Sequence, residues 1–268
     1  MATIMGGKNG AGVYQRIISE IPPHALYVEP FCGTAAILRH KRPARRSVAI
    51  DRDPGAIDLL GGVRSWIPGL ELIVGDGLEY LRWLDCGSAR DVFVYADPPY
   101  VRSSRRDPTR DYYDHEWDDA KHAVFLTVVR RLPWNVRVMI SGYRSELYSS
   151  LLEAGPHAWR TVHFPVTTRG GEPAEEWLWM NYPRPDRLHD YRYIGDDYPT
   201  RWRIHKRQRS WLGMLDRMPE LERRAMLAAV SDAYRGEVLS YLGVDAACCI
   251  AADDAVGRHR RESRGDLR

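Results

Sequence analysis

Four short apolar runs, each closed by an acid, set the rhythm of the first hundred residues. They are Ala25–Val28 before Glu29, Ser47–Ile50 before Asp51, Leu70–Val74 before Gly75-Asp76, and Val92–Ala96 before Asp97. Short continuous apolar runs are what strands buried on both faces of a parallel sheet show. Stretches with helical spacing separate them: Val13 to Ile21, with Ile17, Ile18 and Ile21 on one face, then Gly55 to Leu60 and Leu78 to Leu84. A helix over Asp119–Leu132 leads to a fifth strand, Val136–Ser141, and a helix over Ser145–Leu152. Trp159–Val166 and Glu176–Tyr182 read as a closing hairpin around the polar, Gly-rich loop Thr167–Pro173. This alternation predicts a doubly wound, mostly parallel sheet. Its carboxyl edge, where open α/β sheets bind ligands, would carry all four acids.

Pro183 and Pro185 mark a change of composition, which places an α/β domain at 1–183. Beyond them comes a helical extension, 184–257, and a charged tail, 258–268, of disordered character. Arg187 to Pro199 is irregular and tyrosine-rich. A helix over Thr200–Met218 mixes Arg203, Lys206 and Arg207 with Trp202 and Trp211, and Pro219 opens a second helix running to about Leu242. The basic first arm could contact nucleic acid, or pack with its charges in water.

The chain has 268 residues and a net charge of only +3, so the local clustering of Arg and Lys says more than the total. No apolar run approaches the length of a membrane span, and the first residues lack a signal-peptide core. Cys32, Cys86, Cys248 and Cys249 form no C-x-x-C pair, which suggests neither a zinc site nor a disulfide framework. A reduced, cytoplasmic protein is the expectation.

The candidate chemistry centres on Asp97-Pro98-Pro99-Tyr100. Two prolines stop the strand and leave carbonyls free to accept. A carboxylate and a carbonyl beside an aromatic ring suit a planar group with an exocyclic amine. Gly33 permits a tight turn after the first strand, and the small Thr34-Ala35-Ala36 lets a helix end approach a ligand. Asp51 follows that turn at the spacing from which an acid accepts from ribose hydroxyls. Gly6-Gly7-Lys8 offers close backbone approach and a cation. Arg102, Arg105, Arg106 and Arg110 share a polar loop with Tyr112, Tyr113 and Trp117, a mixture suited to phosphates and exposed bases.

Together, Gly6-Gly7-Lys8, Glu29-Pro30-Phe31-Cys32-Gly33-Thr34, Asp51, Asp76, Asp97-Pro98-Pro99-Tyr100 and Ser141-Gly142-Tyr143 come in a known order. In these stretches the chain resembles the D12 class of DNA N6-adenine methyltransferases, which includes the Dam-like enzymes. The likeness spans roughly residues 5–182. It implies a Rossmann-like class I methyltransferase fold that binds S-adenosylmethionine and acts on double-stranded DNA without a metal. By the same likeness Gly6, Gly7 and Lys8 lie near cofactor and target, and Glu29, Phe31 and Gly33 belong to the cofactor turn. Asp51 would hold ribose hydroxyls, Asp76 the cofactor's adenine amine, and Asp97 to Tyr100 the flipped target base, with Asp97 also bordering the cofactor. Lys8, Arg102, Arg105, Arg106, Arg203, Lys206 and Arg207 are the candidate nucleic-acid contacts.

One departure matters. Dam-like members carry a recognition insert between the positions of Asp76 and Asp97, where this chain has 20 residues already filled by a helix and a strand. Recognition then falls to the Arg102–Asp118 loop, the Thr167–Pro173 loop or the C-terminal helices. An N4-cytosine or RNA adenine enzyme would use the same acceptors, and a non-catalytic nucleic-acid-binding protein could keep the fold. A solitary modification enzyme, one paired with a restriction endonuclease, and a phage genome-protection enzyme would share these residues.

Overall fold

The computed structural model describes residues 8–10, 12–84, 91–105, 107–112, 115–168 and 171–242. Gly6, Gly7, Arg106, Tyr113 and the tail from 243 onward lie outside them. A first compact unit spans 1–202 and a second spans 203–268.

The first unit is built on seven strands in the order β3-β2-β1-β4-β5-β7-β6. They are β1 (Leu26–Glu29), β2 (Arg46–Asp51), β3 (Leu70–Val74), β4 (Val92–Ala96), β5 (Val136–Gly142), β6 (Arg160–Thr167) and β7 (Pro173–Met180). Pairings from β3 across to β5 are parallel, and β7 runs antiparallel to both β5 and β6. This is a Rossmann-like, doubly wound sheet, with the C-terminal antiparallel hairpin at one edge. Strand order reverses between β1 and β4, so the crevice at their carboxyl ends is the topological switch point. Glu29-Pro30-Phe31 leaves one side of it and Asp97-Pro98-Pro99 the other.

Side-chain alternation explains why the strands read as unbroken apolar runs. Leu26, Val28, Val92, Val94 and Ala96 face one helical layer, with Leu78 and Leu81 of α4 (Gly77–Arg82), Phe125 and Val129 of α5 (Asp119–Arg130), and Leu152 of α6 (Glu146–Leu152). Tyr27, Phe93, Tyr95 and Met139 face the other, with Ile17 and Ile18 of α1 (Val13–Ile18), Ile37 of α2 (Ala36–His40) and Leu60 of α3 (Pro54–Gly61). Each fully buried aliphatic side chain contributes roughly 1.5–3 kcal/mol. Asp53, Asp76, Asp118 and Ser145 cap α3, α4, α5 and α6 by accepting from backbone N–H groups of the first turn.

Three boundaries differ from the sequence expectation. Strand β7 starts at Pro173 rather than Glu176, because a proline is tolerated as the first residue of a strand and Thr168 N–H closes the turn onto Glu172 at 2.9 Å. The first unit extends past Pro183 to Trp202. The segment after Tyr182 is strapped down: His189 N–H donates to Ile21 O at 2.9 Å, and Asp190 accepts from Arg42 N at 2.8 Å. The expected helix 220–242 is two, α8 (Glu220–Ala233) and α9 (Arg235–Leu242), broken at Tyr234 (φ −121°, ψ 34°).

Helix α7 (Tyr198–Asp216) begins in the first unit and supplies the start of the second. None of α7, α8 and α9 buries a residue. Arg203, Lys206 and Arg207 are exposed, as are Trp211, Leu212, Leu221 and Leu227. Among the described residues, no helix is long and apolar enough to cross a membrane.

The turn after β1 carries a measurable strain. Ala35, wholly buried, holds φ 48° and ψ 46° at the start of α2. A left-handed conformation costs a Cβ-bearing residue roughly 1–2 kcal/mol, against the roughly 0.5–1 kcal/mol of extra chain entropy that glycine gives up. Ala35→Gly also removes a buried methyl worth about 0.8 kcal/mol, so relief and losses nearly cancel and stability is expected to change by less than about 1 kcal/mol. A urea midpoint close to the parent's with an unchanged slope is the expected reading, and a large fall in the midpoint contradicts it.

Candidate active site

Asp97 stands where β4 runs out, and the structure treats its two oxygens differently. Oδ1 accepts from Ser141 Oγ at 3.0 Å and faces Lys8 Nζ at 3.1 Å. Ser141 is itself held by Tyr95, whose hydroxyl lies 2.9 Å away. Among the described residues no donor reaches Oδ2, and none reaches the carbonyl of Pro98. Among the described residues, Asp97 Oδ2 and the Pro98 carbonyl are thus two acceptors without a donor at the switch point.

Lys8 is buried (6 % exposed) although it lies near the start of the chain. Its ammonium also sits 2.9 Å from Glu176 Oε1 and hydrogen-bonds the Tyr100 hydroxyl. Tyr100 in turn donates toward Glu176 at 3.1 and 3.2 Å, and its ring lies 4.5 Å from that of Tyr143. Burial alone would discharge Lys8, but the carboxylates of Asp97 and Glu176 outweigh it and hold the amine well above its usual pKa. Burial pushes both acids up, against the pull of Lys8.

The structure therefore brings Lys8, Asp97 and Tyr100 together, and adds Glu176, which the motifs did not mark. A signal for it exists in the sequence. Alternation along β7 puts Glu176 on the same face as Leu178 and Met180, both in the core, and a charge on that face needs a partner.

The remaining edge acids act as staples in this structure. Asp51 accepts from Gly33 N at 2.7 Å through Oδ2 and from Asp53 N at 2.9 Å through Oδ1, which fixes the turn at φ 47° for Gly33. Asp76 accepts from Leu78 N at 2.9 Å and pairs with Arg52. Burial would raise the Asp76 carboxyl, but that N–H and the guanidinium prevail and lower it. Glu29 is buried, with Tyr27 OH at 2.8 Å and Leu38 N at 3.2 Å both on Oε2; burial pushes its pKa up to about 8. Phe31 packs edge-on against Trp117 and Phe125, with ring centroids 5.1 and 5.7 Å away. The turns of β1 and β3 touch: a Cβ on Gly77 would lie 1.8 Å from Pro30 O, so only glycine fits.

Asp51 and Asp76 keep second lone pairs on their oxygens, which suits the hydroxyl and amine donors of a nucleoside. The close packing of Gly77 on Pro30 brings the turns after β1 and β3 side by side. These features fit a nucleoside cofactor at the carboxyl edge.

Two loop expectations need correction. Arg105 is not a phosphate contact: it is 8 % exposed and grips Glu116 with both terminal nitrogens, at 2.8 and 2.6 Å. Its Nε donates to the Tyr100 carbonyl at 2.8 Å, so it anchors the Asp97–Tyr100 turn. Trp117 is buried against Phe31, His122 and Phe125 rather than offered to a base. Arg102 remains partly exposed and pairs with Asp111. In the second unit, Arg203, Lys206 and Arg207 lie on the exposed surface of α7.

No protein-family model matches the chain, and no curated protein matches it. Solved structures do resemble it in shape. A precorrin 8w decarboxylase from Methanobacterium thermoautotrophicum is 15 % identical, with a TM-score of 0.44 over 66 % of this chain and 93 % of that one. A Streptococcus mutans protein described as a methyltransferase, in complex with SAH, is 12 % identical, with a TM-score of 0.44 over 65 % and 99 %. An rRNA methylase from Streptococcus thermophilus is 14 % identical, with a TM-score of 0.38 over 62 % and 92 %. Their activities differ from one another, and likenesses this distant carry nothing about substrate.

Removing one partner of a buried ion pair costs roughly 3–5 kcal/mol, whereas an exposed pair is worth less than about 1 kcal/mol. Arg105→Ala is expected to lower unfolding stability by about 3 kcal/mol, and Arg102→Ala by less than about 1 kcal/mol. Chemical denaturation of the two variants checks this; equal losses would return Arg105 to the surface set.

Proposed function

We propose that the protein is a DNA adenine methyltransferase that transfers a methyl group from S-adenosylmethionine to the N6 amine of a flipped-out adenine. The observation that carries this reading is a pair of acceptors to which no described residue donates, Asp97 Oδ2 and the Pro98 carbonyl, beside Tyr100 at the switch point of the sheet. The order of motifs shared with the D12 class supports it.

An adenine amine is a weak nucleophile because its lone pair is delocalised into the ring. Asp97 Oδ2 and the Pro98 carbonyl can each take one amine hydrogen, which draws the nitrogen toward tetrahedral geometry and localises that lone pair. Lys8 and Ser141 fix Oδ1, so Oδ2 meets the amine without reorganising. Tyr100 offers a ring face, and its own hydroxyl is held by Lys8 and Glu176. The cofactor, when bound, supplies an electrophilic methyl; Asp51 would hold its ribose and Asp76 its adenine amine. The target base must leave the helix stack to reach these groups.

Double-stranded DNA is the proposed partner, as a solitary modification enzyme or alongside a restriction endonuclease. With no insert before β4, base recognition is assigned to the Thr167–Pro173 region and the loop after Tyr100, and phosphate contact to Arg203, Lys206 and Arg207 on α7. A short or relaxed target sequence follows from that economy of recognition elements.

Incubation with labelled S-adenosylmethionine and unmethylated duplex DNA, followed by nucleoside analysis, is expected to yield N6-methyladenine. N4-methylcytosine, or label only in RNA, would replace this reading. Neutralising Arg203, Lys206 and Arg207 together is expected to reduce the log–log salt slope of DNA binding by about 3, near 0.9 per phosphate contact. An unchanged slope would remove α7 from the interface.

A further inference from the structure

Beside Asp97 the structure buries a second carboxylate whose role the reaction does not explain. Glu176 is 3 % exposed, and Lys8 Nζ lies between it, at 2.9 Å, and Asp97, at 3.1 Å. One ammonium serves two acids. Taking an unpaired charge out of water costs several kcal/mol, so an acid placed here has to share that cation. The sharing has a consequence for Asp97. Paired alone with a buried ammonium, a carboxylate becomes a poor hydrogen acceptor and a poor base, because the cation stabilises its ionised form. A competing acid on the far side of the cation relieves that pull.

On the reading of Asp97 as acceptor for the target amine, we propose that Glu176 is a positioning residue that divides Lys8 between two carboxylates. Lys8 then pins Asp97 Oδ1 in place without exhausting the basicity of Oδ2. Methyl transfer leaves the amine nitrogen with a fourth bond and a positive charge. The proton that it sheds passes to Asp97 Oδ2, which holds it as a neutral carboxyl until solvent removes it. Tyr100 completes the ring of contacts: its hydroxyl touches both Lys8 and Glu176, so the same pair that tunes Asp97 also sets the ring beside the base.

The groups around Asp97 come from every neighbouring element. Lys8 precedes α1, Glu29 ends β1, and Tyr95 lies on β4. Ser141 lies on β5, Tyr143 follows it, Tyr148 lies on α6 and Glu176 on β7. Glu29, with a pKa near 8, is mostly neutral at neutral pH. Lys8 is the cation of this set and Glu176 the competing anion.

The test reads Asp97 directly, in the full chain and without turnover. Carboxyl-labelled aspartate is followed by 13C NMR across pH, with Asp97→Asn identifying the resonance. Glu176→Gln keeps the shape of the side chain and gives Lys8 wholly to Asp97, so the Asp97 midpoint is expected to fall by about one unit. Lys8→Met removes the shared cation, and the midpoint is expected to rise by at least about one unit. An unmoved midpoint in Glu176→Gln overturns the proposal, as does a fall in Lys8→Met. In the transfer assay, Glu176→Gln is expected to lower kcat about tenfold with cofactor affinity unchanged, and to shift the acid limb of the rate profile in the same direction as the NMR midpoint. An unchanged kcat also overturns it. Opposite NMR shifts in a parent protein that methylates no nucleic acid would support the shared lysine and reject the methyltransferase reading instead.

Discussion

An ammonium held away from water is tolerable only against fixed negative charge, and Lys8 meets two carboxylates and a phenol. That requirement ties together parts of the chain that are far apart in sequence: the residues before α1, the turn after β4 and the middle of β7. Without Lys8, Asp97 and Glu176 would be two buried acids facing each other, and one of them would take up a proton. The ion cluster thus decides both how the site closes and which state its acceptor is in. Lys8, Tyr100, Ser141 and Tyr95 then pass that constraint along the edge, so among the described residues only one oxygen of Asp97 is bound.

The rest of the carboxyl edge is organised by turns that lock one another. Asp51 holds Gly33 and Asp53, Asp76 holds Leu78 and Arg52, and the Gly77 backbone rests against Pro30. Arg105 ties the Tyr100 carbonyl to Glu116 by donating to both. Positioning by several rigid neighbours is what the proposed amine-directed chemistry would require, since it depends on fixed acceptors rather than on a strong nucleophile.

Most of the fold was legible because local pattern and global architecture agree. The apolar runs at Val28, Ile50, Val74 and Ala96 became strands within a residue of expectation, and their terminal acids did fall on one edge. What pattern could not reveal was side-chain commitment. Arg105 reads as a surface arginine in a polar loop until Glu116 and the Tyr100 carbonyl are seen to bury it. Glu176 reads as one of two acids in a strand until its face is known. Glu176 depends on a partner 168 residues away, which no local window contains, and Arg105 on how an irregular loop folds back on itself. The strap around His189 and Asp190 is likewise set by contacts with Ile21 and Arg42 rather than by composition.

The proposed chemistry divides labour at the edge, with Asp97 serving the target amine and the cofactor held elsewhere. Measuring S-adenosylmethionine affinity and methyl transfer side by side in Asp97→Ala tests it most directly. Transfer is expected to fall by at least about a thousandfold while cofactor affinity changes by no more than about threefold, as for a group acting only on the reacting centre. Loss of cofactor binding in parallel with transfer would contradict it and move Asp97 into the cofactor site.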